Sequence, residues 1–270
     1  MQNLVFAFHQ GFNLDRESWN KFKRARDHFR KTAEELSDAL PDLKSIQQKF
    51  ADNRAEGNSS SYKVETPVVY NSALDDITIN DEIKLILVAD NPGRREQAAE
   101  NRRYLVGPSG KIAKKFFLDN PELKIDFTKN VIILNKTPIH SPRTLELKDI
   151  CFSESEKKPR DNRKSLSEAL IESQKKMAVL LFEFHEALCC PVWITGYSQM
   201  HRRGIFDSYT EKLKELYTDK PKMYKQIFLY RHFSMNQFTI DLKQQTLSGE
   251  TSKEALNRIG AAYRQKILGN

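Results

Sequence analysis

The sequence predicts an α/β protein: a three-layer α/β/α sandwich around a central, mainly parallel sheet of about four strands. Two observations predict this fold. Short apolar runs of strand length alternate along the chain with longer amphipathic segments, the pattern of a parallel sheet covered by helices on both faces. Each apolar run also ends abruptly in polar residues. The clearest case is the run 85–88, which leads into Asp90-Asn91-Pro92-Gly93, where Pro92 cannot donate to a sheet ladder.

The chain is predicted to have two parts, an N-terminal helical extension over residues 1–62 and a main α/β domain over residues 63–270. Within the extension, apolar residues at helical spacing among many charged ones predict one or two amphipathic helices, with a break at Pro41. The Gly, Asn and Ser residues of the stretch 52–62 predict a loop that separates the extension from the main domain.

The strands and helices of the main domain follow from hydrophobic periodicity. Short continuous apolar runs predict buried strands, and apolar residues three or four positions apart predict helices. The predicted strands are 84–89, 130–135, 192–196 and 226–230. The predicted helices are 111–118, 165–188, 207–216 and 252–268. The polar segment 140–158 is predicted to be a long loop.

Composition restricts the class of protein. The chain has 270 residues, of which 44 are basic and 36 acidic, and its net charge of +8 favours an anionic partner. Its three cysteines form no CxxC pair and no disulfide framework, which predicts an intracellular protein, cytoplasmic in a bacterium and nuclear in a eukaryote. No apolar run approaches the roughly 20 residues that span a bilayer, and the histidines lack metal-binding spacing. Neither a membrane nor a metal is therefore expected as a partner.

Polar and basic residues follow all four predicted strands. Because the carboxyl ends of parallel strands lie at one edge of a sheet, these side chains are expected to converge there. A basic rim supplies phosphate contacts and amides recognise base edges, so this edge is predicted to bind nucleic acid. The alternative is that they are ordinary solvated loop residues. The residues in question are Asp90, Asn91, Arg94, Arg95, Arg102, Arg103 and Lys111 after strand one, Asn135, Lys136, His140 and Arg143 after strand two, Tyr197, Gln199, His201, Arg202 and Arg203 after strand three, and Arg231, His232, Ser234, Asn236 and Gln237 after strand four.

Four segments in this order resemble the motifs of the uracil-DNA glycosylase superfamily. They are ADNPG at 89–93, YLVGPSG at 104–110, IILN at 132–135 and RHFSMNQF at 231–238. The resemblance implies a uracil-DNA glycosylase-like fold and a monomeric, monofunctional DNA glycosylase. Such an enzyme flips uracil or a related damaged base out of DNA and hydrolyses its N-glycosidic bond, the first step of base excision repair.

The resemblance also implies catalytic roles. Asn91 stands at the position of the residue that positions the attacking water, and Asp90 stands where iron–sulfur members of the superfamily carry a glutamate. These two residues are expected to share the water-positioning role. His232 stands at the position of the histidine that contacts the uracil O2, where negative charge grows as the bond breaks.

Further residues are implied in binding. Asn135 stands at the position of the asparagine that reads the flipped uracil, for which its amide offers both a donor and an acceptor. Leu105 stands where the family stacks a phenylalanine on the base, and Tyr104 is the aromatic residue available to replace it. The remaining substrate-binding positions are Pro92, Gly93 and Ser234. The DNA-binding positions are Arg94, Arg95, Arg102, Arg103, Arg202, Arg203, Met235, Asn236 and Gln237. The last three of these, together with Phe238, are expected to enter the duplex.

The sequence departs from the family pattern at several positions. Ala89 replaces a glycine, and Phe233 and Met235 replace both prolines of the HPSP motif. The cysteines that bind the iron–sulfur cluster of some members are missing, so neither a cluster nor another cofactor is expected. These departures leave open a second function, that of a catalytically silent member of the fold that binds DNA or a partner protein. A third alternative, a small-molecule hydrolase on a similar sheet, predicts no affinity for DNA.

Overall fold

A computed structural model describes residues 15–55, 61–153 and 165–269 of the chain. Its strands are β1 (Leu85–Ala89), β2 (Val131–Asn135), β3 (Val192–Thr195) and β4 (Ile227–Tyr230). They form one four-stranded, all-parallel sheet in the order β2-β1-β3-β4. The predicted α/β class and the predicted parallel sheet of about four strands are confirmed.

Helices precede, connect and follow the strands. They are α1 (Arg16–Ala39), α2 (Leu43–Ala55), α3 (Pro108–Asp119), α4 (Thr144–Ser153), α5 (Leu166–Leu188), α6 (Asp207–Tyr217), α7 (Pro221–Tyr224), α8 (Gln237–Gln245) and α9 (Ser252–Leu268). The helices predicted in the main domain are confirmed as α3, α5, α6 and α9. The predicted loop 140–158 is wrong where α4 forms. Leu147, Ile150 and Cys151 of α4 are fully buried, and burial of this apolar face stabilises the helix in spite of its polar flanks.

Two predicted segments fall partly outside the described residues. The predicted N-terminal extension begins at residue 1, whereas the described chain begins at residue 15. The predicted loop 52–62 includes residues 56–60, which are also outside, and its first residues belong to α2. Residues 154–158 of the predicted loop 140–158 are outside as well.

Side chains of the sheet alternate between its two faces, and a different apolar core covers each face. Val88 of β1 belongs to the core formed with α1, α5 and α6, whereas Leu87 belongs to the core formed with α3 and α9. The second core is rich in aromatic rings, with Phe117 stacked on Trp193 at a centroid distance of 5.5 Å. Helices on both faces are consistent with a three-layer arrangement.

The helices of the predicted extension contribute to the first of these cores. Phe22 of α1 packs edge to face against Phe184 of α5, with a centroid distance of 5.4 Å. Gln47 of α2 donates to the His140 carbonyl at 2.8 Å, just beyond β2. The chain breaks between α1 and α2 around Pro41, as predicted, because proline cannot continue a helix without losing a hydrogen bond. The described part of the extension is therefore packed into the same core as the sheet.

The strand order reverses direction at β1. β1 lies between β2 and β3, so the chain leaves β1 toward one side and later adds β3 on the other. The carboxyl ends of the strands at such a reversal are the usual ligand position in doubly wound sheets. Asp90 follows β1 and Gly196 follows β3, and the two residues lie against each other at this point. Among the described residues, no helix has both the length and the apolar character needed to cross a bilayer.

Candidate functional site

A buried ion pair lies at the carboxyl ends of the strands. Lys136, the residue after β2, is fully buried, and its Nζ donates to Asp90 Oδ1 and to the Thr195 carbonyl, both at 2.5 Å. Its backbone N–H donates to the carbonyls of Ala89 and Asp90, each at 3.1 Å. One side chain thus ties together the carboxyl ends of β1, β2 and β3. Burial lowers the pKa of Lys136, and the charge of Asp90 opposes this effect.

The second oxygen of Asp90 is also engaged. Thr144, at the start of α4, donates its hydroxyl to Asp90 Oδ2 at 3.1 Å. Gly196 has a φ of +75°, which glycine adopts without a steric penalty, and a Cβ at this position would collide with the Asp90 carboxylate. Position 196 therefore requires glycine for two separate reasons. Asp90, predicted to share the water-positioning role, has both carboxylate oxygens bonded to the protein.

The Asn91 side chain is oriented by hydrogen bonds from its amide nitrogen. Its Nδ2 donates to Ser141 Oγ at 2.9 Å and lies 3.2 Å from the Ser141 carbonyl. The Ser141 hydroxyl proton is committed to the Arg143 carbonyl at 2.9 Å, so Ser141 Oγ can only accept from Asn91. This fixes the orientation of the amide. Asn91 Oδ1 has no hydrogen-bond partner in the described part of the chain, and the residue is half-buried.

Pro92 and Gly93 complete a turn that two neighbouring side chains hold in place. The Pro92 carbonyl accepts from His140 Nδ1 at 2.8 Å. Glu96 accepts from the Gly93 N–H at 2.9 Å with one oxygen and from the Leu105 N–H at 2.8 Å with the other. Glu96 therefore connects the first two motifs directly. Burial raises the pKa of this carboxyl to about 7.

Asn135 at the end of β2 is a buried amide without a partner. It is 1% exposed, and neither its Oδ1 nor its Nδ2 forms a hydrogen bond within the described residues. In the sheet register it lies beside Ala89, one residue before Asp90. The nearby Tyr104 hydroxyl donates instead to the Val69 carbonyl at 2.6 Å. Burial raises the pKa of Tyr104 well above its ordinary value.

His232 follows β4 with one ring nitrogen fixed and the other available. The Ser234 N–H lies 3.0 Å from His232 Nδ1, which accepts that hydrogen bond, and Ser234 Oγ is 2.8 Å from the same nitrogen. The neutral ring therefore carries its proton on Nε2, which has no partner among the described residues. Burial lowers the pKa of His232, while Asp90 raises it and Lys136 lowers it, so the imidazole lies within electrostatic range of the ion pair.

The loop after β4 has an anchored base and a protruding tip. Phe233 is buried and stacks on Phe238 at a centroid distance of 4.3 Å. Met235 is 82% exposed, and both Met235 and Asn236 have a left-handed backbone, with φ of 54° and 58°. A left-handed backbone is unfavourable for non-glycine residues, so the surrounding structure holds these two in place. Gln237, the third predicted wedge residue, is exposed at the first position of α8.

Tyr104 and Leu105, the two positions predicted to stack on the base, are both buried. The Tyr104 ring is 3% exposed and packs near Phe29 of α1, at a centroid distance of 6.3 Å. Leu105 is 8% exposed and has a φ of 54°. Tyr104 therefore presents no open ring face on which a base could stack.

The predicted DNA-binding arginines are exposed but differ in their partners. Arg103 pairs with Asp76 at 2.6 Å, which reduces its availability to phosphate. The Arg94 guanidinium lies 5.0 Å from the centre of the Tyr62 ring. The remaining arginines form no ion pair with the described residues and are exposed: Arg95, Arg102, Arg202 and Arg203. In the described ranges, no three His, Cys, Asp or Glu side chains gather as a metal site would require.

Three residues on which the site depends had no catalytic or binding role assigned from the sequence. They are Glu96, Lys136 and Ser141. A carboxylate three residues after a turn N–H, as in Glu96 after Gly93, has the spacing of a reciprocal cap and could have been noticed. Nothing in the pattern indicates that Lys136 is buried, because its neighbours along the chain are polar.

The site therefore offers an amide oxygen, an imidazole N–H and a buried amide at one edge of a parallel sheet. Comparisons of the chain with protein families, with curated proteins and with solved structures gave no match.

Proposed function

We propose that the protein is a DNA glycosylase that hydrolyses the N-glycosidic bond of uracil or a related damaged base, on a uracil-DNA glycosylase-like fold. The observation that carries the proposal is a set of polar atoms that have no hydrogen-bond partner among the described residues. They are Asn91 Oδ1, His232 Nε2 and the amide of Asn135. A buried polar group without a partner costs about 1–3 kcal/mol, so a ligand that supplies the partner is the physical reason to retain Asn135.

Each of these atoms suits one part of the reaction. Asn91 Oδ1 accepts a hydrogen bond from water and holds it for attack on the sugar C1′. The Asn135 amide matches the edge of a pyrimidine, which carries a donor and an acceptor. The His232 Nε2–H donates to the base oxygen on which negative charge develops. Of the two residues predicted to position water, Asn91 takes this role, because both oxygens of Asp90 are bonded to Lys136 and Thr144.

The balance of the reaction follows from these roles. The bond between sugar C1′ and the base nitrogen breaks, and both electrons leave with the base as an anion. Water adds its oxygen to C1′, and the proton that it loses reaches the base anion through solvent, so that a neutral free base and an abasic sugar are formed. His232 is neutral at pH 7 because burial lowers its pKa, and it stabilises the departing anion by hydrogen bonding without full proton transfer.

The test is release of free base from synthetic oligonucleotides. Purified protein would be incubated with single- and double-stranded DNA carrying uracil, hypoxanthine, xanthine or a thymine mismatch. Asn91→Ala should reduce the single-turnover rate about 100-fold, the loss expected when a reacting group is no longer held in position. Asn80→Ala is the matched control, since Asn80 is an exposed asparagine before β1. Release of no base from any of these substrates would contradict the proposal.

One observation favours a second function, a catalytically silent protein of this fold that binds DNA. The Tyr104 ring lies in the core, and Leu105 replaces the expected stacking ring, so no aromatic face holds a flipped base. Base stacking on an aromatic side chain contributes about 1–3 kcal/mol per base. A protein that binds DNA with a salt-dependent affinity, yet releases none of the bases tested, would fit this second function.

A further inference from the structure

A cleft of about 520 Å³ opens beside the turn that carries Asn91. Its walls come from two segments, one around Tyr62 and the other from Arg94 to Val106. Three cations and one carboxylate line it: Lys63, Arg94, Arg95 and Glu100. The cleft is therefore suited to an anionic group. Inorganic phosphate, a nucleotide and the backbone of a nucleic acid all share that chemistry.

Gln97 holds the two walls of the cleft together. It is 2% exposed and uses both atoms of its amide. Its Oε1 accepts from the N–H groups of Glu65 and Thr66, at 2.6 and 3.2 Å. Its Nε2 donates to the carbonyls of Lys63 and Arg94, at 3.0 and 3.2 Å. Because the backbones of both segments are fixed, the cations of the cleft are preorganised rather than gathered by the ligand.

A chain of contacts connects the cleft to the Asn91 turn. The Arg94 guanidinium packs over the Tyr62 ring, the Tyr62 hydroxyl lies 2.8 Å from His140 Nε2, and His140 Nδ1 lies 2.8 Å from the Pro92 carbonyl. A carbonyl only accepts, so Nδ1 carries the proton, Nε2 accepts and Tyr62 donates. Burial lowers the pKa of His140 to about 4, so this arrangement of protons holds at neutral pH.

We propose that the cleft binds a backbone phosphate of the DNA strand that flanks the target nucleotide, and that the Tyr62–His140 contacts fix its distance from Asn91. The identity of the ligand rests on the proposed function. A guanidinium matches the geometry of phosphate oxygens, and stacking on Tyr62 reduces the freedom that Arg94 loses on binding. A polymer backbone fits better than a free nucleotide, because the cleft is open and, among the described residues, its apolar lining is limited to Tyr62, Ala98 and Val106.

The first experiment uses a single-stranded thymidine oligonucleotide, which contains no base for the protein to release. Its affinity would be measured over a series of salt concentrations. Arg94→Ala/Arg95→Ala should flatten the plot of log K against log salt by about 0.7, the change expected when one phosphate contact on a single strand is lost. Lys222→Ala/Lys225→Ala removes the same charge from α7 and the residue that follows it, at the opposite edge of the sheet, and should leave the slope unchanged. Equal slopes for the two double variants would overturn the proposal.

The salt series and the base-release assay can fail independently of each other. A flattened slope with no base release from any substrate would support the cleft and reject the glycosylase. Base release with an unchanged slope in Arg94→Ala/Arg95→Ala would support the glycosylase and reject the phosphate-binding cleft. Inorganic phosphate, at an ionic strength matched with chloride, should not displace the oligonucleotide. Displacement by phosphate alone would assign the cleft to a free anion and overturn the DNA assignment.

The second experiment tests the connection to the turn. The ring nitrogen resonances of His140 would be followed by NMR as the thymidine oligonucleotide is added. They should shift on saturation in the parent protein and stay fixed in Tyr62→Phe, which keeps the ring under Arg94 but lacks the hydroxyl. A fixed His140 resonance in the saturated parent protein would overturn the connection, whatever the result for affinity.

Discussion

Lys136 is the residue whose surroundings differ most from those typical of its type. A lysine is seldom fully buried. Its charge is tolerated here because Asp90 and the Thr195 carbonyl accept hydrogen bonds from its Nζ. The ion pair holds Asp90 beside the turn and engages one of its two carboxylate oxygens. Lys136 is thus a positioning residue, which acts on the site through Asp90 and the ends of three strands.

Lys136→Met should lower the free energy of unfolding by about 3–5 kcal/mol, because it leaves the Asp90 carboxylate buried without its partner. Asp90→Asn in the same chain should restore much of that loss, since a neutral amide does not need a buried counter-ion. Urea denaturation of the two single variants and the double variant measures the coupling. Additive losses in the double variant would mean that the two side chains act independently.

His232→Ala should slow base release by about 100- to 1,000-fold, the cost of one lost donor to a developing anion. Binding of product DNA should change little, because the contact strengthens mainly in the transition state. The pKa of His232 is lowered by burial, so the parent rate should stay level from pH 8 down to about 6.5. His28→Ala serves as the control, because His28 is an exposed histidine of α1 that belongs to no predicted site.

At the scale of elements, the loop between β4 and α8 has two parts: a base that anchors it in the core and an exposed tip that can contact a ligand. Phe233 and Phe238 hold its base in the aromatic core. The prediction that Phe238 enters the duplex is wrong, because its ring is 2% exposed. Met235 projects from the tip, held in a left-handed backbone conformation. An exposed apolar side chain held in place by its neighbours is suited to wedging between bases.

Met235→Ala should slow base release from duplex DNA by about 10-fold or more, since burying a methionine contributes about 1.5–3 kcal/mol. The defect should shrink on single-stranded DNA, where unstacking costs less. Leu118→Ala is the matched control, because Leu118 is 70% exposed near the end of α3. The same defect on single and double strands would show that Met235 does not act as a wedge.

At the scale of the whole molecule, stability should fall in mild acid. Burial lowers the pKa of His140 and of His185 to about 4, against about 6.5 in an unfolded chain. Between these values the unfolded chain binds more protons, so each histidine destabilises the fold by up to roughly 3 kcal/mol as pH falls. Glu96 changes the stability in the opposite direction. Its pKa is raised to about 7, so protonation removes the free-energy cost of a buried carboxylate as pH falls.

The two histidines outweigh Glu96, so the free energy of unfolding should drop by roughly 3 kcal/mol between pH 7 and pH 4. Urea denaturation at several pH values measures this. His185→Gln should reduce the pH dependence of the free energy of unfolding without disturbing the site. His185 lies in the last turn of α5, where it bonds to Tyr217 and Gln226. A free energy of unfolding that stays level or rises toward pH 4 would contradict the prediction.

The sequence by itself determined the alternation of strands and helices, because continuous apolar runs and helical spacing are local signals. The same signals placed Asp90, Asn91, Asn135 and His232 at strand ends, and parallel strands bring such ends to one edge. Only the tertiary structure decided which polar atoms remain free. Lys136, Ser141 and Glu96 bind partners distant in sequence, and no local pattern records a long-range hydrogen bond. For the same reason α4 was missed: its apolar face is stabilised by packing rather than by its own sequence.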